Sequence, residues 1–419
     1  MNTTPVAGRT RPKTLVSLGV TALAAALGLA ACSSSGGSTS SASSASSAVS
    51  VAASGAGALA GVCPATIDIQ TAWEPAVGND FELYELAAPG GEIDTNNKTY
   101  TSKLIAHGQD TGVKIKLRVG GAVKAYQSGA NLMAQDSSIM LVDDSLDTNI
   151  SQSAKTPLVE LFAPQLHNAL GVMWDASKSW RTIADIGKAG APILVSNSGL
   201  YPWSYLADKG VIKSSQLDKS YKGAPALFVA AGGNSAQQGY ADAEPWLYEN
   251  AITQWAKPVS FQKISDYGYD PYANAIATTT ANVTKYSACL TKLIPIMQQA
   301  AVDYIAAPQT ANALIVELAK KYNDGWSYTA DQASWAAGAL ISTSVVANSP
   351  DGTFGSIDPT RVSDFLSLFT PLLAAQNITP KAGLKATDLY TNQFIDPSIK
   401  LPASVTASGS GSASATAGN

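Results

Sequence analysis

The chain has 419 residues, a formal net charge of −4, 14% charged residues, three cysteines and two histidines. The acidic balance argues against nucleic acid as a partner. His107 and His167 fall in no His-Glu-x-x-His or similar metal spacing, and there is no Gly-x-Ser-x-Gly elbow, so the sequence favours a protein that is not an enzyme and holds no metal.

Residues 1–31 begin with Arg9, Arg11 and Lys13 and continue as an uncharged run, Leu15 to Ala31. That is the layout of a secretion signal, and the run is shorter than the roughly 20 apolar residues of a spanning helix. "LAAC" resembles the bacterial lipobox, which predicts cleavage before Cys32 and lipidation of that cysteine; an ordinary secretion signal with an incidental cysteine is the alternative. Residues 32–62 then form a Ser/Gly/Ala linker behind the lipid anchor, and residues 403–419 repeat that composition as a disordered tail. Loss of the signal takes the net charge to about minus seven, from the counts of 27 basic and 31 acidic residues. With Cys32 lipidated, Cys63 and Cys289 remain as one possible disulfide in an oxidising compartment. Two separate buried thiols are the alternative.

Between linker and tail, period-two runs alternate with helical stretches. "ATIDIQTAW", "VKIKLRVGG", "SSIMLVDDS", "TPLVELFAP" and "NALGVMWD" read as strands, with a short helix at "FELYELAAPGG". "APILVSNSGLYPWSYLADKGV" reads as strand, polar turn and helix, and "PALFVAAGG" as the start of another strand-to-helix unit. "GYADAEPWLYENAITQWA" reads as a turn with an aromatic helix, and "VSFQKISDYGYD" as a strand. Thereafter Ser287–Tyr304, Pro308–Tyr322, Ala330–Ser342 and Pro359–Gln376 carry helical spacing. The order predicts an α/β protein whose sheets have parallel character and whose C-terminal part is helical.

In "TAWEP", "SSIMLVDDS", "WRTIADIGKAGAPILVSNSG", "GYADAEPW" and "YTNQFIDPSI", together with Cys32, the chain resembles the type II solute-binding proteins of ABC importers. The branch is the one that includes binders of thiamine pyrimidine precursors, alkanesulfonates, taurine and nitrate. The resemblance implies a two-lobed type II periplasmic-binding-protein fold with hinge strands, in which lobe one is residues 63–171 and 275–402 and lobe two is 172–274. It also implies a small-molecule solute as ligand, a permease as partner, and no cofactor. The stretch "APGGEIDTNNKTYTSKLIAHGQDTG" looks like an insertion between the first two strands.

In open α/β sheets ligands lie beyond the carboxyl ends of strands. Ser196, Asn197, Ser198 and Gly199 lie between a strand and a helix, where they could hold a polar group or act as ordinary caps. Trp73 and Trp246 lie at Pro-containing turns, where aromatic faces stack on flat ligands or simply pack in a core. Tyr201 joins them, with Asp80 and Glu244 as hydrogen-bond acceptors. Asp143 and Asp144 end a buried strand, and because neighbours on a strand point to opposite faces, one of them at most enters a cleft. The set suits an extracytoplasmic receptor for an amine-bearing heterocycle such as an aminopyrimidine. Sulfonate, taurine or nitrate is the alternative, and a lipid-anchored surface interaction protein a further one.

Overall fold

The computed structural model describes residues 57–197, 199–403 and 405, all within the unit Ser50–Asn419. The expected signal, Cys32, Ser198 and nearly all of the expected tail lie outside the described residues. Among the described residues no helix is long and apolar enough to cross a membrane.

The first part of the chain gives β1 (Thr66–Gln70), α1 (Phe81–Leu86), β2 (Glu92–Asp94), β3 (Thr99–Ala106) and β4 (Gln109–Arg118). After these come α2 (Gly129–Gln135), β5 (Leu141–Asp144), α3 (Leu146–Gln152) and β6 (Leu158–Phe162). The middle gives β7 (Leu170–Asp175), α4 (Ile183–Ala189), β8 (Ile193–Ser196), α5 (Tyr201–Asp208) and β9 (Leu217–Tyr221). It continues with α6 (Ala226–Ala230), β10 (Ala236–Tyr240), α7 (Glu244–Trp246) and β11 (Val259–Lys263). Last come β12 (Ala275–Thr279), α8 (Thr280–Lys285), α9 (Ser287–Ala306), α10 (Gln309–Tyr322), α11 (Ala330–Ser342) and α12 (Pro359–Ala374).

Two sheets result, β2-β3-β4-β1-β5-β12-β6 and β11-β7-β10-β8-β9. In the first, β1 runs parallel to β4 and β5, while β12 is antiparallel to β5 and β6. The second repeats this plan: β8 is parallel to β9 and β10, and β7 is antiparallel to β10 and β11. In each sheet the strand that the chain lays down on arriving from the other sheet runs antiparallel to both its neighbours. Residues 163–169 and 264–274 make the two crossings. This is an α/β fold of two sheets joined by two crossing segments.

Local chemistry explains most elements. Ile67 and Ile69 alternate with polar residues along β1, as a strand with one apolar face requires, and β6 at the sheet edge is buried throughout. Thr182 and Asp185 form a reciprocal capping box on α4, which ends at Gly190 with φ 68°. Two expectations change. "PALFVAAGG" is the helix α6, with Pro225 as its N-cap: a short apolar run has no period that separates strand from helix, and the strand before it is the polar "LDKSY". The insertion-like stretch is β2, β3 and the start of β4, an antiparallel extension of the first sheet.

Two further ties matter for the site. Cys63 and Cys289 form a disulfide with Cα atoms 4.7 Å apart, fastening the segment before β1 to α9. Helix α12, which falls within the expected lobe one, packs Val362, Phe365 and Phe369 into one cluster with Leu146 and Ile150 of α3 and Trp203 and Leu206 of α5. The expected break between residues 171 and 172 lies inside β7.

Candidate functional site: the facing strand ends

The loops that leave the parallel strands of the two sheets meet. A Cβ on Gly78, after β1, would lie 1.7 Å from Asp242 Oδ2, after β10. The Gly78 carbonyl accepts hydrogen bonds from Gln165 Nε2 (2.7 Å) and Asn274 Nδ2 (2.8 Å), one from each crossing segment. The crossings are also tied to each other. His167 Nδ1 is 2.6 Å from Asp270 Oδ2, and the Arg361 guanidinium lies 3.0 Å from the same oxygen and over the Tyr272 ring at 3.9 Å. Burial raises the Asp270 pKa, but His167 and Arg361 outweigh it and hold this carboxyl below its ordinary range.

Near that meeting point in the chain, and on β5, lie carboxyls that make no ion pair among the described residues. Asp80, Glu82 and Asp143 are 2%, 0% and 1% exposed, and both oxygens of Glu82 and of Asp143 lack a hydrogen-bond partner. An uncompensated buried carboxylate costs several kcal/mol, so such groups hold their protons instead. Burial pushes Asp80 up to about 7. Burial and then the neighbouring Asp80 carry Glu82 and Asp143 well above the carboxylate range. Asp144 turns to the other face, accepting N–H groups of Ala130 (3.1 Å) and Ser145 (2.9 Å), and burial raises it to about 7. The alternation along β5 thus sends one acid toward Asp80 and the other toward α2.

On the second sheet, Ser196 is half-buried and its N–H donates to Gln238 Oε1 at 2.6 Å, while Asn197 and Gly199 are exposed. Tyr201 opens α5 and sets its ring edge-on to Phe369 at 4.8 Å. Glu244 accepts the N–H of Tyr240 at 2.6 Å, closing its own turn, and burial lifts it to about 7. Trp246 is half-buried at the end of α7. Asp242, 6% exposed, is lifted by burial to about 6. The structure brings Asp80 and Asp143 together; it places Tyr201 in the cluster around α12 and Glu244 at its own turn.

Trp73 heads an aromatic group that sequence reasoning did not assemble. Its ring lies 5.8 Å from Tyr126 at 39° and 6.4 Å from Trp326 at 82°, and Trp326 stacks with Tyr328. Glu74, the next residue, is 4% exposed with Oε2 unpartnered. Burial, then Asp324, raises it to about 7. Tyr126 and Trp326 stand far from Trp73 in the chain, and only the neighbouring of β1 and β4 could have signalled the first.

Two basic residues at these edges are committed. Arg118, ending β4, donates to both oxygens of Asp68 (2.5 and 2.6 Å) and to Asp136 (2.8 Å). Lys263, ending β11, donates to the Thr343 carbonyl.

No family model matches the chain, and no curated protein matches it. Among solved structures, the chain is similar to the periplasmic aliphatic sulphonate binding protein SsuA from Escherichia coli. Identity is 13% over 75% of this chain and 89% of that one, with a TM-score of 0.49. The alkanesulfonate-binding protein SsuA from Xanthomonas axonopodis pv. citri, bound to MOPS, gives 14%, 78%, 99% and 0.49. The desulfurization enzyme DSZB gives 13%, 78%, 97% and 0.42. At such values the α/β assignment rests on the chain's own sheet order.

Proposed function

We propose that the chain is the extracytoplasmic solute-binding component of an ABC importer, anchored by lipid at Cys32 and handing its solute to a permease. The lobes are residues 63–171 with 275–402, and 172–274, and they close over a small solute held between the facing strand ends. The observation that carries this reading is the double crossing. It joins two sheets through two short segments and sets the loop after β1 against the loop after β10. Such an arrangement can hinge, and a ligand drives closure only by its greater affinity for the closed form. No residue is given a catalytic role.

The solute is an amine-bearing flat molecule of the aminopyrimidine kind. Trp73 in the loop after β1 supports a flat solute, and the committed Arg118 and Lys263 count against sulfonate or nitrate. The test is a thermal-shift screen of the purified chain against aminopyrimidines, taurine, alkanesulfonates, nitrate and amino acids, followed by small-angle scattering of any hit. Native-state binding raises the melting temperature by mass action. A shift with compaction on one class supports the reading. No shift with any class moves weight to the surface-interaction alternative.

A further inference from the structure

A cavity of about 240 Å³ lies at the β6 edge of the first sheet. Leu158, which begins β6 and lines it, pairs with Thr279 at the end of β12, whereas Ala275 at the start of β12 pairs with Asp144. The cavity and the facing loops therefore stand at opposite ends of the strands. Its floor is closed: Asn149 of α3 and Leu158 are 0% exposed, and Leu389 is 1% exposed. Asn149 Oδ1 accepts the N–H of Leu158 at 3.2 Å, which fixes the amide, and its Nδ2 has no hydrogen-bond partner. A buried donor in that state gains from any acceptor that enters. The neighbouring Glu160 is wholly buried; burial and then Asp144 carry its carboxyl well above the ordinary range, against the pull of Asn149 and Arg361. An acid held toward its neutral form repels an incoming anion less than an ionised one does. The rim is anchored on both sides. The N–H of Lys381 donates to Ser153 Oγ at 2.9 Å, and the N–H of Glu160 donates to the Leu389 carbonyl at 2.8 Å, so the segment bearing Lys381, Leu384 and Thr387 is held across the opening. Lys381 Nζ is 3.9 Å from Asp388 Oδ2, beyond hydrogen-bond reach, and that oxygen already accepts the Lys385 N–H at 3.2 Å.

We propose that this cavity is a second binding site, for a small carboxylate with an apolar body, whose oxygens accept from Asn149 Nδ2 and the Lys381 ammonium while the body lies against Leu158, Leu384 and Leu389. It is independent of the solute-binding reading, because none of these residues belongs to the facing loops. The chemistry selects the ligand. An anionic acceptor gains at both donors, most at the charged one, and the apolar lining rewards a hydrocarbon body. An amine brings donors to donors and has only the engaged Asp388 to turn to. At about 30 Å³ for a water-sized group the space admits roughly eight such groups, which is less than the roughly 300–1,000 Å³ of a drug-sized site.

Four probes separate these contributions: 4-methylpentanoate; 4-methylpentanamide, of the same shape and neutral; 4-methylpentylamine, a cation; and acetate, the charge without the body. Binding to the purified chain is measured by ligand-observed NMR titration. The expected result is that 4-methylpentanoate binds with a Kd of about 1 mM or below. The amide, which loses the charge-assisted bond, and acetate, which loses the buried hydrocarbon, should each bind at least about tenfold more weakly, and the amine should not bind. Lys381→Gln, at an exposed position, should cost about fivefold. Thr387→Trp, also at an exposed position, fills the opening and should abolish binding with an unchanged circular-dichroism spectrum. Asn149→Asp keeps the acceptor for Leu158 and removes the donor, for a loss of about tenfold; should that variant fail to fold, the two exposed ones decide. Equal affinity for the carboxylate and the amine, no saturation by 4-methylpentanoate below about 10 mM, or an affinity unmoved by both Lys381→Gln and Thr387→Trp overturns the site. Solute binding between the facing loops is read separately in the thermal-shift screen, so this site can fail while the receptor reading stands, and the reverse.

Discussion

Replacing Asp242 by Asn removes a charge from the point where the loops of the two sheets touch. Asp242 is 6% exposed, and burial moves its carboxyl from 3.8 to about 6. The folded protein therefore holds this proton over a range where the unfolded chain has released it, and stability falls as pH rises from about 4 through 6. The shift is about two units, and at 1.36 kcal/mol per unit the folded state loses on the order of 3 kcal/mol at pH 8. Asn keeps the size and cannot ionise. Urea unfolding of both proteins at several pH values should show near-equal stability at pH 4 and an advantage for the Asp242→Asn variant that grows to that order by pH 8. A variant less stable than the parent at pH 8, or a difference independent of pH, would refute the argument that this carboxyl is destabilised by burial.

Three other outcomes are open to measurement. Gly78→Ala would put a methyl group on the Asp242 carboxylate, so that side chain must swing away from the contact between the loops; the titration of any solute found by the screen should show a weaker affinity. Cys289→Ser opens the tie between the segment before β1 and α9, and chemical unfolding should register a loss of about 2–4 kcal/mol without a change in the α/β circular-dichroism signature. Cys32→Ser should release the protein from membranes into the soluble fraction, and continued extraction only by detergent would count against the lipid anchor.

The sequence carried the secondary structure well wherever a period was present. The alternation in "ATIDIQTAW" and "VKIKLRVGG" is that of β1 and β4, and α11 spans Ala330–Ser342 as its spacing predicts. It failed where burial and chemistry disagree with the pattern. The polar stretch around Thr99 is a strand because a neighbouring strand, β4, supplies its hydrogen bonds, and that neighbour is a tertiary fact. The acids show the same division. Asp143 and Asp144 are visible at a strand end, and their opposed faces follow from the pleat. Glu82, by contrast, reads as an ordinary first-turn helix acid, and that it is wholly buried beside Asp80 depends on how α1 packs against α9 and α10. Likewise Trp73 was legible as an aromatic at a turn, whereas its neighbours Tyr126 and Trp326 are supplied by distant loops.

The place of β12 also bears on how this chain can be made and cut. The first sheet seats β6 only through β12, which lies beyond the whole of the second sheet in the chain. A nascent chain that has been synthesised through β11 still has β5 and β6 without the strand between them, with open edges exposed. The strands of the second sheet follow one another without interruption from Leu170 to Lys263, but the first sheet cannot be expressed as a contiguous fragment with its strands complete. Completion of the first sheet is thus a late event, and a truncation before Ala275 should yield material prone to edge-to-edge association in place of a smaller folded protein.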